Sequence, residues 1–130
     1  MKTKLVDCME WRAPNKPGEL LRCIKAFKKN NVNLDIMWSC GSSQEIGACA
    51  KQPAKLRAAL KQAGIKAGSS KCFYLAGKDK TGALAGALGK LAKAGVNVEY
   101  CSAVAGKGGF GCMMYVKGRD IAKARRALGA

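Results

Sequence analysis

Apolar residues recur with two different periods along this chain, and the two periods follow one another in a fixed order. Leu20, Cys23, Ile24 and Phe27 are spaced by three and four residues, which predicts an amphipathic helix with one buried stripe. Residues 32–39 alternate between apolar and polar side chains, which predicts a strand with one buried face. The pattern therefore predicts strand, helix, strand, strand and helix in the first half of the chain, and the same order again in the second half.

The predicted elements fill most of the sequence. In the first half we predict strands at residues 5–11, 32–39 and 46–50 and helices at 18–29 and 53–63. In the second half we predict strands at residues 72–76, 96–103 and 110–116 and helices at 82–93 and 120–128. A fourth strand of the first half falls at 65–69, whereas no residues remain for a fourth strand of the second half. We therefore expect one sheet edge to be left there for another segment or subunit to pair with.

The element order repeats because the sequence itself is duplicated. Residues 15–20 (Asn-Lys-Pro-Gly-Glu-Leu) return as residues 79–84 (Asp-Lys-Thr-Gly-Ala-Leu), which places Gly18 and Gly82 64 positions apart. A repeat of this length exceeds the common solenoid periods, so each copy is expected to be a small domain.

Two helices on one face of an antiparallel sheet, in this element order, form the ferredoxin-like arrangement of α+β proteins. We predict two such βαββαβ domains in tandem, at residues 1–66 and 67–130, with the last strand of the second repeat missing. Because a domain of this size buries only a small core, the two copies are expected to share a core or a sheet.

The chain is strongly basic, with 24 lysines and arginines against eight acidic residues and a formal net charge of +16. The basic residues are divided almost evenly between the two halves and fall mainly at helical spacings, which is typical of solvated helix faces. Such an excess also makes phosphate or nucleic acid a partner to consider. Histidine is absent and the acidic residues are scattered, so the sequence indicates no acid–base pair or activated nucleophile, and we predict no enzyme activity.

The seven cysteines include no closely spaced Cys-x-x-Cys pair, and most occupy positions that suit a small apolar side chain. We expect them to be reduced thiols in the core, and we assign no metal and no cofactor. The sequence has no evident signal peptide and no apolar run long enough to span a bilayer. It therefore predicts a soluble cytoplasmic protein without a membrane partner.

Gly18 and Gly82 each open the first helix of their copy, and both turns suit a ligand site. Glycine has no Cβ, so a small molecule can approach the backbone closely, and the free N–H groups of the first helical turn lie at the positive end of the helix dipole. A carboxylate fits this environment. Asn15 and Asp79, just before the two turns, either bind an α-ammonium group or cap the helix.

Residues 79–84 and 94–100 resemble the ACT domain, the small regulatory module of amino-acid metabolism, and residues 15–20 with 31–34 are similar to it almost as closely. The resemblance covers nearly the whole chain, in tandem. It implies a stand-alone regulatory protein that binds a free amino acid or a similar small metabolite. It also implies that the ligand lies between two side-by-side modules, against the second strand of the neighbouring module.

A homodimer is expected as well, because the unpaired edge and the small core both favour association. The ligand-binding residues predicted from the turns and from the resemblance are Asn15, Lys16, Pro17, Gly18, Glu19, Leu20, Asp35, Met37, Asp79, Lys80, Thr81, Gly82, Ala83, Leu84, Glu99 and Cys101.

Residues 107–115 (Lys-Gly-Gly-Phe-Gly-Cys-Met-Met-Tyr) support a second interpretation. They partly resemble the RNA-recognition signature of the RRM, which has the same element order. Together with the basic surface, they imply RNA binding through the strand of Phe110 and Tyr115. Cys112 stands where that signature has a stacking aromatic residue, and the corresponding strand of the first copy has no aromatic residue at all. Nucleic acid is therefore the less favoured partner.

Overall fold

A computed structural model describes residues 1–78 and 81–130 of the chain. The strands are β1 (Lys2–Arg12), β2 (Leu34–Cys40), β3 (Glu45–Ala50), β4 (Gly68–Gly77), β5 (Val98–Gly106) and β6 (Gly109–Val116). The helices are α1 (Glu19–Lys29), α2 (Pro53–Gln62), α3 (Ala85–Lys93) and α4 (Ile121–Leu128), and a 3₁₀ turn at Gly118–Asp120 precedes α4. This is an α+β fold of the ferredoxin type, with antiparallel strands and βαββαβ order, which confirms the predicted fold class.

The structure differs from the predicted elements mainly at their ends. The predicted strands at 65–69 and 72–76 are parts of one strand, β4, which starts at Gly68. Strand β1 starts at Lys2, although residues 2–4 lack the apolar side chains that would mark a strand. Both strands are therefore longer than the apolar pattern indicates.

The described chain divides into two compact units, of which the first comprises Asp7–Ser70. Its strand order is β2-β3-β1-β4, and β3 runs antiparallel to both β1 and β2. Helices α1 and α2 pack against this sheet through one core, in which the Trp11 and Phe27 rings meet edge to face with centroids 6.0 Å apart. The other large members of this core are Ile46, Leu56 and Leu60.

The second unit comprises Met1–Val6 and Lys71–Ala130, and its strand order is β1-β4-β6-β5. Helices α3 and α4 share a core with these strands, and Leu5 of β1 packs against it. The largest core members are Phe73, Leu75, Leu91, Met114 and Leu128. The sheet edge that the second repeat leaves open is therefore paired from within the chain, by β1, which is the first of the two expected possibilities, another segment rather than another subunit.

Strands β1 and β4 each contribute residues to both units. The chain passes from one unit to the other between residues 6 and 7 in β1 and between residues 70 and 71 in β4. A strand of about ten residues is long enough to serve two small sheets, since typical strands have about five or six. The division into domains at residues 1–66 and 67–130 stays a prediction.

Cys8 and Cys49 form a disulfide, so the expectation of reduced thiols is wrong for this pair. Met9 of β1 lies opposite Ala48 of β3, which brings Cys8 opposite Cys49 with their Cα atoms 4.5 Å apart. Sequence reasoning misses the pair because it requires the register of two strands that are not consecutive in the chain. Cytosolic thiols are normally kept reduced, so the bond weighs against the expected cytoplasmic location, which stays a prediction.

Candidate functional site

A cleft of about 180 Å³ opens between the loop that follows β1 and the hairpin that joins β2 to β3. We call it the first cleft. The loop side is formed by Ala13, Pro14, Asn15, Lys16, Glu19 and Leu20. The hairpin side is formed by Ser39, Cys40, Gly41, Gln44, Glu45 and Ile46.

The loop and the hairpin that line the first cleft are joined by direct contacts. The Ala13 amide donates a hydrogen bond to the Gln44 carbonyl oxygen at 2.9 Å, and the Arg12 guanidinium donates one to the Ser43 carbonyl oxygen at 2.9 Å. The Asn15 amide lies directly over Gly41, where an added Cβ would come within 2.8 Å of the Asn15 Oδ1 atom. The absence of a side chain at position 41 therefore lets the loop close onto the hairpin.

Helix α1 begins at the edge of the first cleft with unsatisfied backbone donors. Gly18 precedes the helix with a φ of 89°, in the left-handed region that favours glycine, and no side chain caps the helix. Within the described chain, the N–H groups of Leu20 and Leu21 have no hydrogen-bond acceptor. Asn15 therefore does not cap this helix, and the two N–H groups stay available to an anion.

Charged side chains of both signs line the first cleft. Glu19 is engaged, because its carboxylate accepts a hydrogen bond from Arg22 at 3.3 Å and lies 3.9 Å from the Lys16 ammonium. Glu45 is exposed, and no lysine or arginine of the described chain lies within ion-pair distance of it. Arg12, which lies opposite Glu45 in the register of β1 and β3, donates to the Ser43 carbonyl oxygen instead, so the Glu45 carboxylate has no ion-pair partner and can accept a ligand ammonium.

The Cys40 thiol is a titratable group on the hairpin side of the first cleft. Hydrogen bonds from the side chains of Ser42 and Ser43, with a further one from the Ser43 backbone, lower the Cys40 pKa to about 7. The Cys40 Sγ and Ser42 Oγ atoms are 3.3 Å apart. Because Cys40 is exposed, part of this group is thiolate and reachable at neutral pH.

We expect Cys40 to be the fastest-reacting thiol of the native protein. Its alkylation rate should rise about tenfold between pH 6 and pH 8 and then level off, because the thiolate fraction follows a pKa of about 7. Iodoacetamide labelling followed by peptide mass spectrometry measures the rate at each position. Cys101, the other exposed free thiol, serves as the internal comparison. Faster labelling at Cys101, or a Cys40 profile unchanged by Ser42→Ala, would contradict the assignment.

A second cleft, of about 340 Å³, lies beside the corresponding turn of the second unit. Its described lining consists of small and apolar residues without a charged side chain: Gly82, Ala83, Leu84, Ala85, Ala103, Val104, Ala105 and Phe110. The two clefts thus occupy related places in the repeat but differ in chemistry. The first offers charges and hydrogen bonds, and the second offers an apolar surface.

The predicted turn residues fall mostly in the two clefts. Asn15, Lys16, Glu19 and Leu20 line the first cleft, while Pro17 and Gly18 lie between lining residues along the chain without lining it. The second cleft contains the predicted residues Gly82, Ala83 and Leu84, and Thr81 is not among its lining. Asp79 and Lys80 lie outside the described residues.

The residues predicted for the opposite wall line neither cleft. The Asp35 carboxylate pairs with the Lys51 ammonium at 2.6 Å, and Met37 packs against the first core. Glu99 lies 3.7 Å from Lys117. The Cys101 and Cys112 sulfur atoms are 3.6 Å apart, and burial raises the pKa of the Cys112 thiol to about 12, with a contribution from Cys101.

Sequence reasoning missed the hairpin side of the first cleft. The signal available was topological, because the hairpin between the second and third strands of a ferredoxin-like unit returns next to the turn that follows the first strand. Cys40, Gln44 and Glu45 stand at that hairpin. None of them belongs to the duplicated motif, so the comparison of the two repeats did not point to them.

The aromatic pair of the RNA-binding interpretation lies on two different faces of the second unit. Phe110 packs against the core under α3 and α4, with Cys112, Met114 and Val116 of the same strand. Tyr115 is an odd number of residues from Phe110 along β6, so its side chain points to the opposite face. The two rings of this strand therefore do not form one stacking surface.

The helices of the described residues include none that is long and apolar enough to cross a membrane. No protein-family model matches the sequence, and no curated protein matches it either.

Comparison of the structure with solved structures finds similar folds. A protein from Bacteroides thetaiotaomicron superposes with a TM-score of 0.83 at 22% sequence identity, over 98% of this chain and 88% of that one. The ligand-free regulatory subunit of aspartate kinase from Thermus thermophilus superposes with a TM-score of 0.61 at 15% identity, over 98% and 93%.

Aspartokinase III of E. coli in complex with lysine and aspartate gives a TM-score of 0.60 at 13% identity, over 100% of this chain and 33% of the enzyme. At these identities the likeness shows the fold alone, which is the ACT-like fold of such regulatory regions.

Proposed function

We propose that this protein is a regulatory module without catalytic activity that binds a free amino acid in the first cleft. One observation carries the proposal: the cleft is lined on the loop side by Leu20, whose backbone N–H is free, and on the hairpin side by Glu45, whose carboxylate forms no ion pair within the described chain. An amino acid carries the matching pair of groups, an α-carboxylate and an α-ammonium. The regulatory subunit of aspartate kinase and the lysine- and aspartate-bound aspartokinase III share this fold, which supports a regulatory role.

The charges of the first cleft favour neutral or cationic amino acids over acidic ones. Glu45 and the partly ionised Cys40 thiol leave negative charge on the hairpin side, whereas Glu19 on the loop side is already paired with Arg22 and Lys16. A ligand carboxylate would lie near Lys16 and the helix N-terminus, where the dipole is positive. A second carboxylate on the ligand would be repelled by Glu45. Binding of a cationic amino acid should strengthen as the pH rises through about 7, because Cys40 then becomes thiolate.

Regulation would arise from a difference in ligand affinity between two arrangements of the protein.

We also propose a homodimer as the functional state. Strand β5 supports this, because it lies at a sheet edge and its residues from 99 to 106 are all exposed, with Glu99 as their one charged residue. An exposed edge strand with a single charged residue is a natural surface for pairing with a second copy.

Thermal-shift screening against the free amino acids tests the proposed function. At least one neutral or cationic amino acid should raise the unfolding midpoint in a concentration-dependent way, since a ligand that binds only the folded state stabilises it. Glu45→Gln should weaken this ligand about tenfold, because it removes a charged partner. Glu10→Gln is the matched control: Glu10 is an exposed carboxylate of β1 that does not line the cleft. Equal effects of the two variants, or no shift with any amino acid, would rule the proposal out.

A further inference from the structure

Three tyrosines lie together on the sheet face of the second unit that points away from its core. Tyr74, Tyr100 and Tyr115 come from β4, β5 and β6, three neighbouring strands. Tyr100 pairs with Tyr115, and Tyr74 pairs with Met113, two residues before Tyr115 on the same strand. Residues paired across strands share a face, so these side chains form one surface, which we call the tyrosine face.

The tyrosine face is open and carries further apolar area. Tyr100 is 45% exposed, and Val104, which pairs with Gly111, is 73% exposed. Tyr74 and Tyr115 are half-buried, and Met113, which pairs with Tyr74, is buried. The Tyr74 ring extends over Gly111 of β6, and its hydroxyl lies 3.5 Å from the position that a Cβ at residue 111 would take.

Positive charge borders this face. The Lys4 ammonium lies 5.5 Å from the centroid of the Tyr74 ring, in cation–π distance. Lys2 shares the face with Lys4 by the alternation of β1. The strands of the second unit carry one acidic residue, Glu99, which is engaged with Lys117. The surroundings of the rings therefore attract anions.

We propose that the tyrosine face binds single-stranded nucleic acid by stacking bases on its rings. Sheets that recognise single strands combine aromatic side chains on adjacent strands with cationic surroundings, and each stacked base adds affinity without requiring a particular sequence. The net charge of +16 supplies the long-range attraction to phosphate. This use of the face is separate from the amino-acid cleft, whose lining belongs entirely to the first unit.

Charge also decides between nucleic acid and a second copy as the occupant of the tyrosine face. If two copies stacked these faces on each other, the Lys2 and Lys4 ammonium groups of both would be buried in one interface. In the second unit, residues 2–6 of β1, residues 71–77 of β4 and all of β6 carry no carboxylate that could pair with them. Burying unpaired charge is costly. A phosphate backbone compensates these same charges.

Fluorescence anisotropy with labelled oligouridylate and oligothymidylate tests the proposal on the intact protein. We expect both to bind, more tightly than a duplex of equal length. Tyr100→Leu should weaken binding about tenfold, as the loss of one stacked base predicts. Tyr100→Phe keeps the ring and should bind as the unaltered protein does. Tyr74→Leu repeats the test at a second position, and circular dichroism confirms that each variant is folded.

Several results would overturn the proposal. These are the absence of oligonucleotide binding, equal or tighter binding of the duplex, and single-strand binding that survives Tyr100→Leu and Tyr74→Leu. A loss of binding as large in Tyr100→Phe as in Tyr100→Leu would also exclude stacking. Sedimentation that shows a dimer dissociated by Tyr74→Leu, on a strand away from the β5 edge, would assign the face to a second copy instead. None of these measurements depends on amino-acid binding.

Discussion

Replacing Cys8 by alanine is expected to lower the free energy of unfolding by about 4 kcal/mol, the cost of opening a loop closed over 41 residues. The bond joins β1 to β3 inside the first unit, so it restricts the unfolded chain over most of that unit. Urea unfolding followed by tryptophan fluorescence suits the measurement, because Trp11 and Trp38 both belong to this unit.

The control for this experiment is the reductant. Dithiothreitol should destabilise the unaltered protein by a similar amount and leave Cys8→Ala unchanged. Cys23→Ala removes a buried free thiol, so it should lower the free energy of unfolding only through the lost packing. It should not change the effect of the reductant on stability. A Cys8→Ala protein as stable as the unaltered one, or a native protein that titrates with seven free thiols, would show that the bond is absent.

Removing residues 1–6 is expected to destabilise the second unit by about 3 kcal/mol or more. These residues contribute a strand to its sheet, and Leu5 packs on its core. The lost burial of Leu5 is worth about 2 kcal/mol, and each lost strand hydrogen bond adds about 1 kcal/mol. Hydrogen exchange measured by mass spectrometry should show faster exchange in β4 and β6 of the shortened protein.

A double variant, Lys2→Ala with Lys4→Ala, keeps the strand and serves as the control. It should retain the exchange protection of β4, because backbone pairing and the Leu5 contact are both preserved. Unchanged protection after removal of residues 1–6 would mean that the second unit does not need β1. Such a result would restore the open sheet edge that the element pattern predicts.

The fold class was predictable because it depends on periodicity, and the periodicity of the helices and of several strands is strong. The Leu20 to Phe27 stripe and the alternation from 32 to 39 correspond to α1 and β2. That β1 and β4 each contribute residues to both units could not be predicted, because the element pattern treats each repeat as separate. Residues 2–4 carry two lysines and a threonine, so no apolar pattern marks them as a strand, and their pairing depends on contacts distant in sequence.

The candidate site was predictable on its loop side and not on its hairpin side. Gly18 signals the turn because its positive φ suits glycine, and the duplication draws attention to it. Glu45 and Cys40 could not be identified from the sequence, because it shows neither that the hairpin lies beside the loop after β1 nor that Glu45 has no ion-pair partner in the described chain. Tyr74, Tyr100 and Tyr115 come together only once the register of β4, β5 and β6 is known.

Calorimetric titration of the intact protein, with the amino acid that gives the largest thermal shift, tests the central claim most directly. The account predicts one ligand bound per chain, because the first cleft offers the charges that an amino acid needs and the described lining of the second offers none. Binding should weaken about tenfold in Glu45→Gln and stay unchanged in Glu10→Gln. Two ligands per chain, or a titration that Glu45→Gln leaves unaltered, would contradict it.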